Sequence, residues 1–184
     1  PNGESPLGQV IADAQLAATR AAGAQLALMN PGGIRAPLNM PADGQLRYEN
    51  LFAVQPFYNN LVTLTLTGAQ LLQVLEQQWA GQPSAAGRPL QVSRGFSYTW
   101  DASRPPGQRV LADSLKLDGR PVTATDTLRV TVNSFLASGG DNFTALKQGR
   151  DARTGMMDID ALEAFVKANP TLAPGLPDRV TRLN

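Results

Sequence analysis

Apolar and polar residues alternate in two stretches of the chain at the two-residue period of a β-strand. NLVTLTLT at residues 60–67 alternates strictly and predicts a half-buried strand, and VSRGFSYTW at residues 92–100 repeats the pattern. Two apolar runs, QLALMN at residues 25–30 and DTLRVTVNSFLA at residues 126–137, have the length and composition of further strands. Asp118-Gly119 within SLKLDGRPV is a strong signal for a β-hairpin. The sequence therefore predicts several strands, spread over most of its length.

Helical periodicity separates these strands. Ser5-Pro6 is a typical helix start, and apolar residues then recur at helical spacing until Gly23 ends the pattern. Thr67 predicts the cap of a second helix that continues to Trp79. Asp160 with Glu163 predicts a capping box for a third, which Asn169-Pro170 ends.

Residues 49–54 suit either a short helix or an irregular strand, and the tail can end in an edge strand. Helices and strands interleave without the regular cadence of repeated βαβ units and without a G-x-G-x-x-G fingerprint. The fold class is therefore predicted to be α+β, with mixed β-sheet flanked by helices.

Composition limits the function classes. The chain has 184 residues, of which 42% are hydrophobic and 17% charged, as in a globular domain with its own core. The formal net charge is +1, so no strong field favours nucleic acid, and no apolar run reaches the roughly 20 residues of a membrane-spanning helix.

The chain contains neither histidine nor cysteine. Thiol nucleophiles, imidazole bases and the usual zinc sites are thereby excluded. A metal ion would need a site made only of oxygen ligands, and the acidic residues are scattered along the sequence. The sequence therefore predicts no catalytic residue, metal site or cofactor in this chain.

Three segments place polar side chains beside flexible backbone at the ends of strands or loops. They are NPGGIR at residues 30–35, QPFYNN at residues 55–60 and FLASGGDNF at residues 135–143. Paired glycines at such positions indicate either a tight turn or a backbone that a ligand approaches closely. If the segments converge, they offer the aromatic rings, guanidinium, carboxylate and amides that suit a nucleoside: Phe57, Phe135, Arg35, Asp141, Asn30 and Asn59.

These segments, in this order and with ENLFAVQPFYN before the second, closely resemble the C-terminal domain of the 5′-nucleotidase family. ESPLGQVIADAQ resembles the first helix of that domain, and LDGRPV resembles its hairpin. The resemblance extends from Glu4 to about Phe165. Each motif is weak by itself, but the ordered set is specific.

The resemblance implies that residues 1–184 form one C-terminal domain that binds the nucleoside, while an N-terminal metallophosphoesterase domain outside this chain holds two divalent metal ions. The chain is then a fragment or processed product, without activity alone. It also implies a periplasmic, secreted or cell-surface location, as in a bacterial enzyme of nucleotide catabolism. The expected partners are a nucleotide or nucleoside and that N-terminal domain, without nucleic acid or a membrane span.

By the same resemblance, Phe57 and Phe135 enclose the base and Asp141 holds the ribose hydroxyls. Asn30 and Asn59 contact the base side, and Arg35 extends toward the phosphate. Glycines are expected to keep the backbone close to the ligand; these are Gly32, Gly33, Gly139 and Gly140.

Other functions remain open at this point. The same architecture occurs in cyclic-nucleotide phosphodiesterases, nucleotide-sugar hydrolases and thiosulfohydrolases, and a domain of this kind can also be a non-catalytic binding module. Asp158 and Asp160 could suggest a metal pair, but a helix N-terminus explains two acidic residues there better. The aromatic residues at 96, 98 and 100 and Trp79 are expected in the core, and Arg104, Arg109, Arg150 and Arg153 on the surface.

Overall fold

The computed structural model describes residues 3–84, 86–173 and 175–184. The helices are α1 (Pro6–Thr19), α2 (Tyr48–Val54), α3 (Gly68–Glu76), α4 (Ser134–Ala137) and α5 (Asp158–Ala168). The strands are β1 (Leu26–Met29), β2 (Asn60–Thr67), β3 (Gln91–Val92), β4 (Phe96–Asp101), β5 (Lys116–Leu117), β6 (Arg120–Pro121), β7 (Thr127–Asn133), β8 (Arg150–Met157) and β9 (Val180–Leu183). None of the helices in these ranges is long and apolar enough to cross a membrane.

The strands form two mixed sheets. The larger has the order β3-β1-β7-β2-β8, in which β1 and β7 are parallel and the other neighbours are antiparallel. The smaller has the order β6-β5-β4-β9, with β9 parallel to β4 at its edge. The predicted α+β class, the hairpin at Asp118-Gly119 and the terminal edge strand are confirmed.

The larger sheet is covered on both faces. One face packs with α3 and the smaller sheet into a core that includes Leu64, Val130 and Phe96. The other face lies under α1, where the Thr63 and Thr131 hydroxyls hydrogen-bond each other at 2.9 Å. The predicted strand at residues 60–67 is confirmed, but its expected half-buried character is wrong: β2 is buried on both faces over most of its length.

The predicted starts of α1 and α3 are confirmed, whereas that of α5 is wrong. The Ser5 hydroxyl accepts a hydrogen bond from the backbone N–H of Gly8, and Thr67 forms a capping box with Gln70. α5 follows β8 directly and begins at Asp158, so Asp160 lies inside the first turn rather than at the cap. The backbone N–H at the start of α5 is satisfied instead by the Asn59 carbonyl, at 2.8 Å.

Strand boundaries differ from the predictions at three places. The single strand expected at residues 92–100 is two strands in different sheets, because the chain turns at Gly95, where φ is +91°. The strand expected to continue through residue 137 ends at Asn133, whose side chain caps α4. β8 was not predicted, since RDARTGMM is exposed and does not alternate.

We expect Gly68→Ala to destabilise the fold, although alanine normally stabilises a helix relative to glycine by about 1 kcal/mol. A Cβ atom at this position would lie 1.9 Å from the Thr123 carbonyl oxygen, so backbone must shift. Overpacking of this kind typically costs about 1–3 kcal/mol of unfolding free energy, measured by chemical denaturation.

Gly155→Ala is the matched control, because its Cβ would lie 3.7 Å from the Leu61 carbonyl oxygen, at ordinary contact distance. It should change stability by no more than about 0.5 kcal/mol. A Gly68→Ala chain as stable as the unaltered one would show that this close approach does not constrain α3.

Candidate functional site

Strand directions bring the three polar segments to one edge of the larger sheet. Because β1 and β7 are parallel, their carboxyl ends lie side by side, and Asn30 follows one while Asn133 ends the other. β2 is antiparallel to β7 and begins at this same edge, with Leu61 opposite Asn133. Phe57 and Asn59 immediately precede β2, so their loop joins the other two.

A cavity of about 380 Å³ lies at this edge, within the usual size range of small-molecule sites. Its lining residues are Asn30, Gly32, Gly33, Arg35, Phe57, Asn59, Arg88, Asn133, Phe135 and Asp141. All the site residues expected from the sequence are among them except Gly139 and Gly140. Arg88 and Asn133 were not expected.

Two buried amides connect the strand ends. Asn133 accepts a hydrogen bond from the backbone N–H of Leu136 through Oδ1, and its Nδ2 donates to Asn30 Oδ1 at 2.9 Å. Asn30, which is 3% exposed, donates in turn from Nδ2 to Asp141 Oδ2 at 2.9 Å. Each amide is therefore oriented by its neighbours. These hydrogen bonds connect the Asp141 carboxylate to the ends of β1 and β7.

Asp141 also forms an ion pair with Arg88, through Oδ1 and Nη1. The carboxylate side chain is 11% exposed and the arginine 38%. Asp141 has a φ of +54°, in the left-handed region that non-glycine residues seldom adopt. Its backbone carbonyl accepts a hydrogen bond from Gln82 Nε2 at 2.8 Å, and Asn142 Nδ2 donates to the Gly81 carbonyl at 3.0 Å. The loop before β3 thus holds the segment that carries Asp141.

Phe57 and Phe135 expose their rings at the cavity, with fractional exposures of 52% and 44%. Gly140 lies next to the second of these, because a Cβ there would be 2.6 Å from the Phe135 ring. Gly139 has a φ of +86° at the turn after α4. These two glycines permit the position of the Phe135 ring and the turn toward Asp141, whereas Gly32 and Gly33 line the cavity itself.

Arg35 lies at the Phe57 end of the cavity. Its guanidinium carbon is 5.8 Å from the centroid of the Phe57 ring, and Nη1 donates to the Gly32 carbonyl at 3.4 Å. Among the described residues, no acidic side chain forms a salt bridge with it. The positive charge of Arg35 is therefore available to an anion.

The Asn59 side chain is oriented by hydrogen bonds with Asp158 and Ser134. Its Nδ2 donates to Asp158 Oδ2 at 3.4 Å, and its Oδ1 accepts from the Ser134 hydroxyl at 3.3 Å. Burial raises the pKa of Asp158, while hydrogen bonds from Asn59 and the Ile159 backbone N–H oppose that increase in part. Asp158 is a buried partner of a lining residue and the first residue of α5.

The donor set of this chain does not fit a two-metal centre. Within residues 3–84, 86–173 and 175–184, no three acidic side chains are grouped so that they could hold a metal ion. Histidine and cysteine do not occur in the sequence. The cavity offers aromatic faces, amides and a paired carboxylate, which are groups that bind an organic ligand.

Residues 1–148 match the family model described as 5′-nucleotidase, C-terminal domain. The chain belongs to this family. The family consists of 5′-nucleotidase-type hydrolases, and the resemblance of NPGGIR, QPFYNN and FLASGGDNF is confirmed.

Relatives with curated names or solved structures agree with the assignment of this 5′-nucleotidase C-terminal domain. The trifunctional nucleotide phosphoesterase YfkN of Bacillus subtilis is 35% identical over 185 residues, which cover 96% of this chain and 12% of that protein. The crystal structure of a 5′-nucleotidase precursor from Thermus thermophilus matches with a TM-score of 0.84 at 39% identity, over 98% of this chain and 36% of the other.

A third relative shares the fold alone. The sulfate thiohydrolase SoxB of Thermus thermophilus matches with a TM-score of 0.71 at 20% identity, over 98% of this chain and 32% of the other. The chain therefore spans 12–36% of the length of these three proteins.

We expect Asp158→Asn to change how stability depends on pH. Because the pKa of Asp158 is raised above 3.8, its protonated form contributes stability that is fully present below that value and is lost as pH rises through the raised pKa. Asparagine does not ionise, so the unfolding free energy of the variant relative to the unaltered chain should increase from about pH 3 to about pH 7.

Chemical denaturation at several pH values measures this difference, and Ala161→Gly in the same helix is the control. It changes no ionisable group, so its effect should be the same at each pH. A constant difference for Asp158→Asn, or one that decreases with pH, would contradict the raised pKa.

Proposed function

We propose that this chain is the nucleoside-binding domain of a larger 5′-nucleotidase-type phosphohydrolase that acts on nucleotides. The observation that carries the proposal is the pair of half-exposed rings, Phe57 and Phe135, in one cavity with the Asp141 carboxylate. Large aromatic side chains exposed in one concave site gain stability when an apolar planar ligand covers them. A nucleobase is such a ligand, because each base has two π-faces.

The polar groups extend this assignment to the sugar and phosphate. Asp141 is an acceptor of ribose hydroxyl hydrogen bonds, and Arg35 supplies a guanidinium for the phosphate. Asn30 and Asn59 present amides on the base side of the same cavity, and Gly32 and Gly33 keep the backbone there free of side chains. Gly139 and Gly140 support this arrangement from outside the lining, through the turn and the Phe135 ring.

Hydrolysis belongs to the part of the polypeptide outside this chain. An N-terminal metallophosphoesterase domain would hold two divalent metal ions, since no three acidic side chains in the described part of the chain are grouped to hold one. This domain contributes by holding the nucleotide in the right orientation, and such positioning lowers the activation free energy of hydrolysis. The relatives are far longer than this chain, in agreement with such a division. We place the whole protein in the periplasm, at the cell surface or outside a bacterial cell.

A thiosulfohydrolase is the strongest alternative, since SoxB shares the fold. Two exposed aromatic rings and a carboxylate suit a nucleoside better than an inorganic sulfur group, which has no planar face to stack. Nucleotide monoesters, cyclic nucleotides and nucleotide sugars all contain a base and a sugar that the two rings and the carboxylate can bind. A purely non-catalytic binding module would require that the rest of the polypeptide lack metal-ligand motifs.

We expect the purified chain alone to release no phosphate from AMP, with or without added Mg²⁺, Mn²⁺ or Zn²⁺. The physical reason is that the chain has no histidine or cysteine and that its described acidic side chains form no group that could hold a metal ion. A phosphate-release assay on the unaltered chain and on Asp141→Asn tests this, because activity from a contaminating phosphatase would be equal in both preparations. Metal-dependent release that Asp141→Asn abolishes would contradict the proposed division of the protein.

We expect Phe57→Ala and Phe135→Ala each to weaken nucleoside binding. One base–aromatic stack is worth about 1–3 kcal/mol, which corresponds to a loss of about 5- to 150-fold in affinity. Adenosine and uridine should be affected alike, because stacking tolerates different bases. Ligand-observed NMR titrations measure affinities in the weak range expected for an isolated domain.

Leu176→Ala is the control for this experiment. It removes an exposed apolar side chain that lies outside the cavity lining and should leave both affinities unchanged. If the unaltered chain binds a nucleoside and neither phenylalanine variant weakens it, the base does not lie between these rings.

A further inference from the structure

Arg88 enters the cavity because of a local backbone feature. The preceding Gly87 has a φ of +71°, and a Cβ there would lie 2.3 Å from the Gln78 carbonyl oxygen and 2.5 Å from the Trp79 ring. Glycine therefore lets the loop pass closely over Trp79, and the backbone N–H of Arg88 donates to the Gln78 carbonyl at 2.7 Å. This hydrogen bond fixes the Arg88 backbone next to the residues that follow α3.

The Asp141 carboxylate has a different protein partner on each oxygen. Asn30 Nδ2 donates to Oδ2, and Arg88 Nη1 donates to Oδ1. An ionised carboxylate has about four acceptor positions, so about two remain for hydroxyl groups of a ligand. With Asn30 alone, the carboxylate would keep one hydrogen bond and a partly buried charge without a cation beside it.

We infer that Arg88 is a positioning residue that determines sugar specificity: it holds the Asp141 carboxylate so that both remaining acceptor positions receive ribose hydroxyls. This role rests on the proposed nucleoside site. Neither composition nor the family motifs point to Arg88, which lies in a Gly/Pro/Ser-rich loop. The planar guanidinium has donors in a fixed geometry and can orient a carboxylate in a way that a lysine ammonium cannot.

The test is the affinity ratio between adenosine and 2′-deoxyadenosine, titrated by ligand-observed NMR with the 184-residue chain. The unaltered chain should prefer ribose, and Arg88→Gln should lower this preference about tenfold, since a hydrogen bond to a charged group is at stake. The affinity for 2′,3′-dideoxyadenosine, which keeps the base but has neither hydroxyl, should change by less than about threefold, because its base still stacks. Arg88→Lys should restore only part of the preference.

Two further variants separate positioning from a general structural effect. Asp141→Asn should lower the ribose preference, and Arg88→Gln should lower it no further in the Asp141→Asn background, because residues that act through one group are not additive. Gly87→Ala keeps the guanidinium but displaces it, and should also lower the preference. Arg153→Gln is the matched control, since it removes an exposed arginine on β8, outside the cavity. Thermal melts establish that each variant is folded.

The outcomes distinguish this inference from the function on which it rests. If the unaltered chain binds neither nucleoside at millimolar concentration, the nucleoside site itself is wrong, and the role of Arg88 with it. If the chain binds adenosine and Arg88→Gln leaves the ribose preference unchanged, only the role of Arg88 is wrong. If the unaltered chain prefers adenosine 3′-monophosphate over adenosine and Arg88→Gln removes that preference, Arg88 binds an anion directly rather than positioning Asp141.

Discussion

The parallel pairing of β1 with β7 is the constraint on which the site depends. It places the carboxyl ends of two buried strands side by side, at the position where α/β sheets commonly bind ligands. Antiparallel pairing of β2 with β7 then brings the start of β2 to the same edge. Segments that are distant in the sequence thus become neighbours without any long excursion of the chain. A change of one residue in this register would move Asn133 to the other face of the sheet.

The buried amides at this edge are costly unless each is satisfied. Asn30 and Asn133 would each cost about 1–3 kcal/mol if left without partners, so their mutual hydrogen bond and the bond to Asp141 favour one arrangement over others. The same bonds stabilise the left-handed backbone at Asp141. Tyr58, whose φ is +52°, is a second strained residue, and its ring packs against Phe52 with centroids 5.2 Å apart. Strain at two of the loops that line the cavity is typical of a functional site.

Features set by local chemistry could be predicted from the sequence, and features set by tertiary contacts could not. The cap at Thr67 and the Asp118-Gly119 turn depend on neighbouring residues and were predicted. β8 could not be, because its exposed residues pair with β2 without an apolar pattern. Asn133 is typical of an N-cap, but the apolar run around it indicated a continuing strand. No sequence pattern indicated Arg88, because its position depends on the close approach of Gly87 to the Gln78 carbonyl and the Trp79 ring. The convergence of the predicted site residues required a strand order that no motif specifies.

The charges of the cavity account for the kind of ligand it suits. Arg88 and Asp141 pair with each other, so they add no net charge where the sugar is expected to lie. Arg35 has no acidic partner among the described residues and lies at the Phe57 end. The lining therefore has one positive charge in excess, at a different place from its carboxylate. A neutral base and sugar with one anionic group match this distribution, because the anion meets a cation while the hydroxyls meet an acceptor whose charge is already balanced.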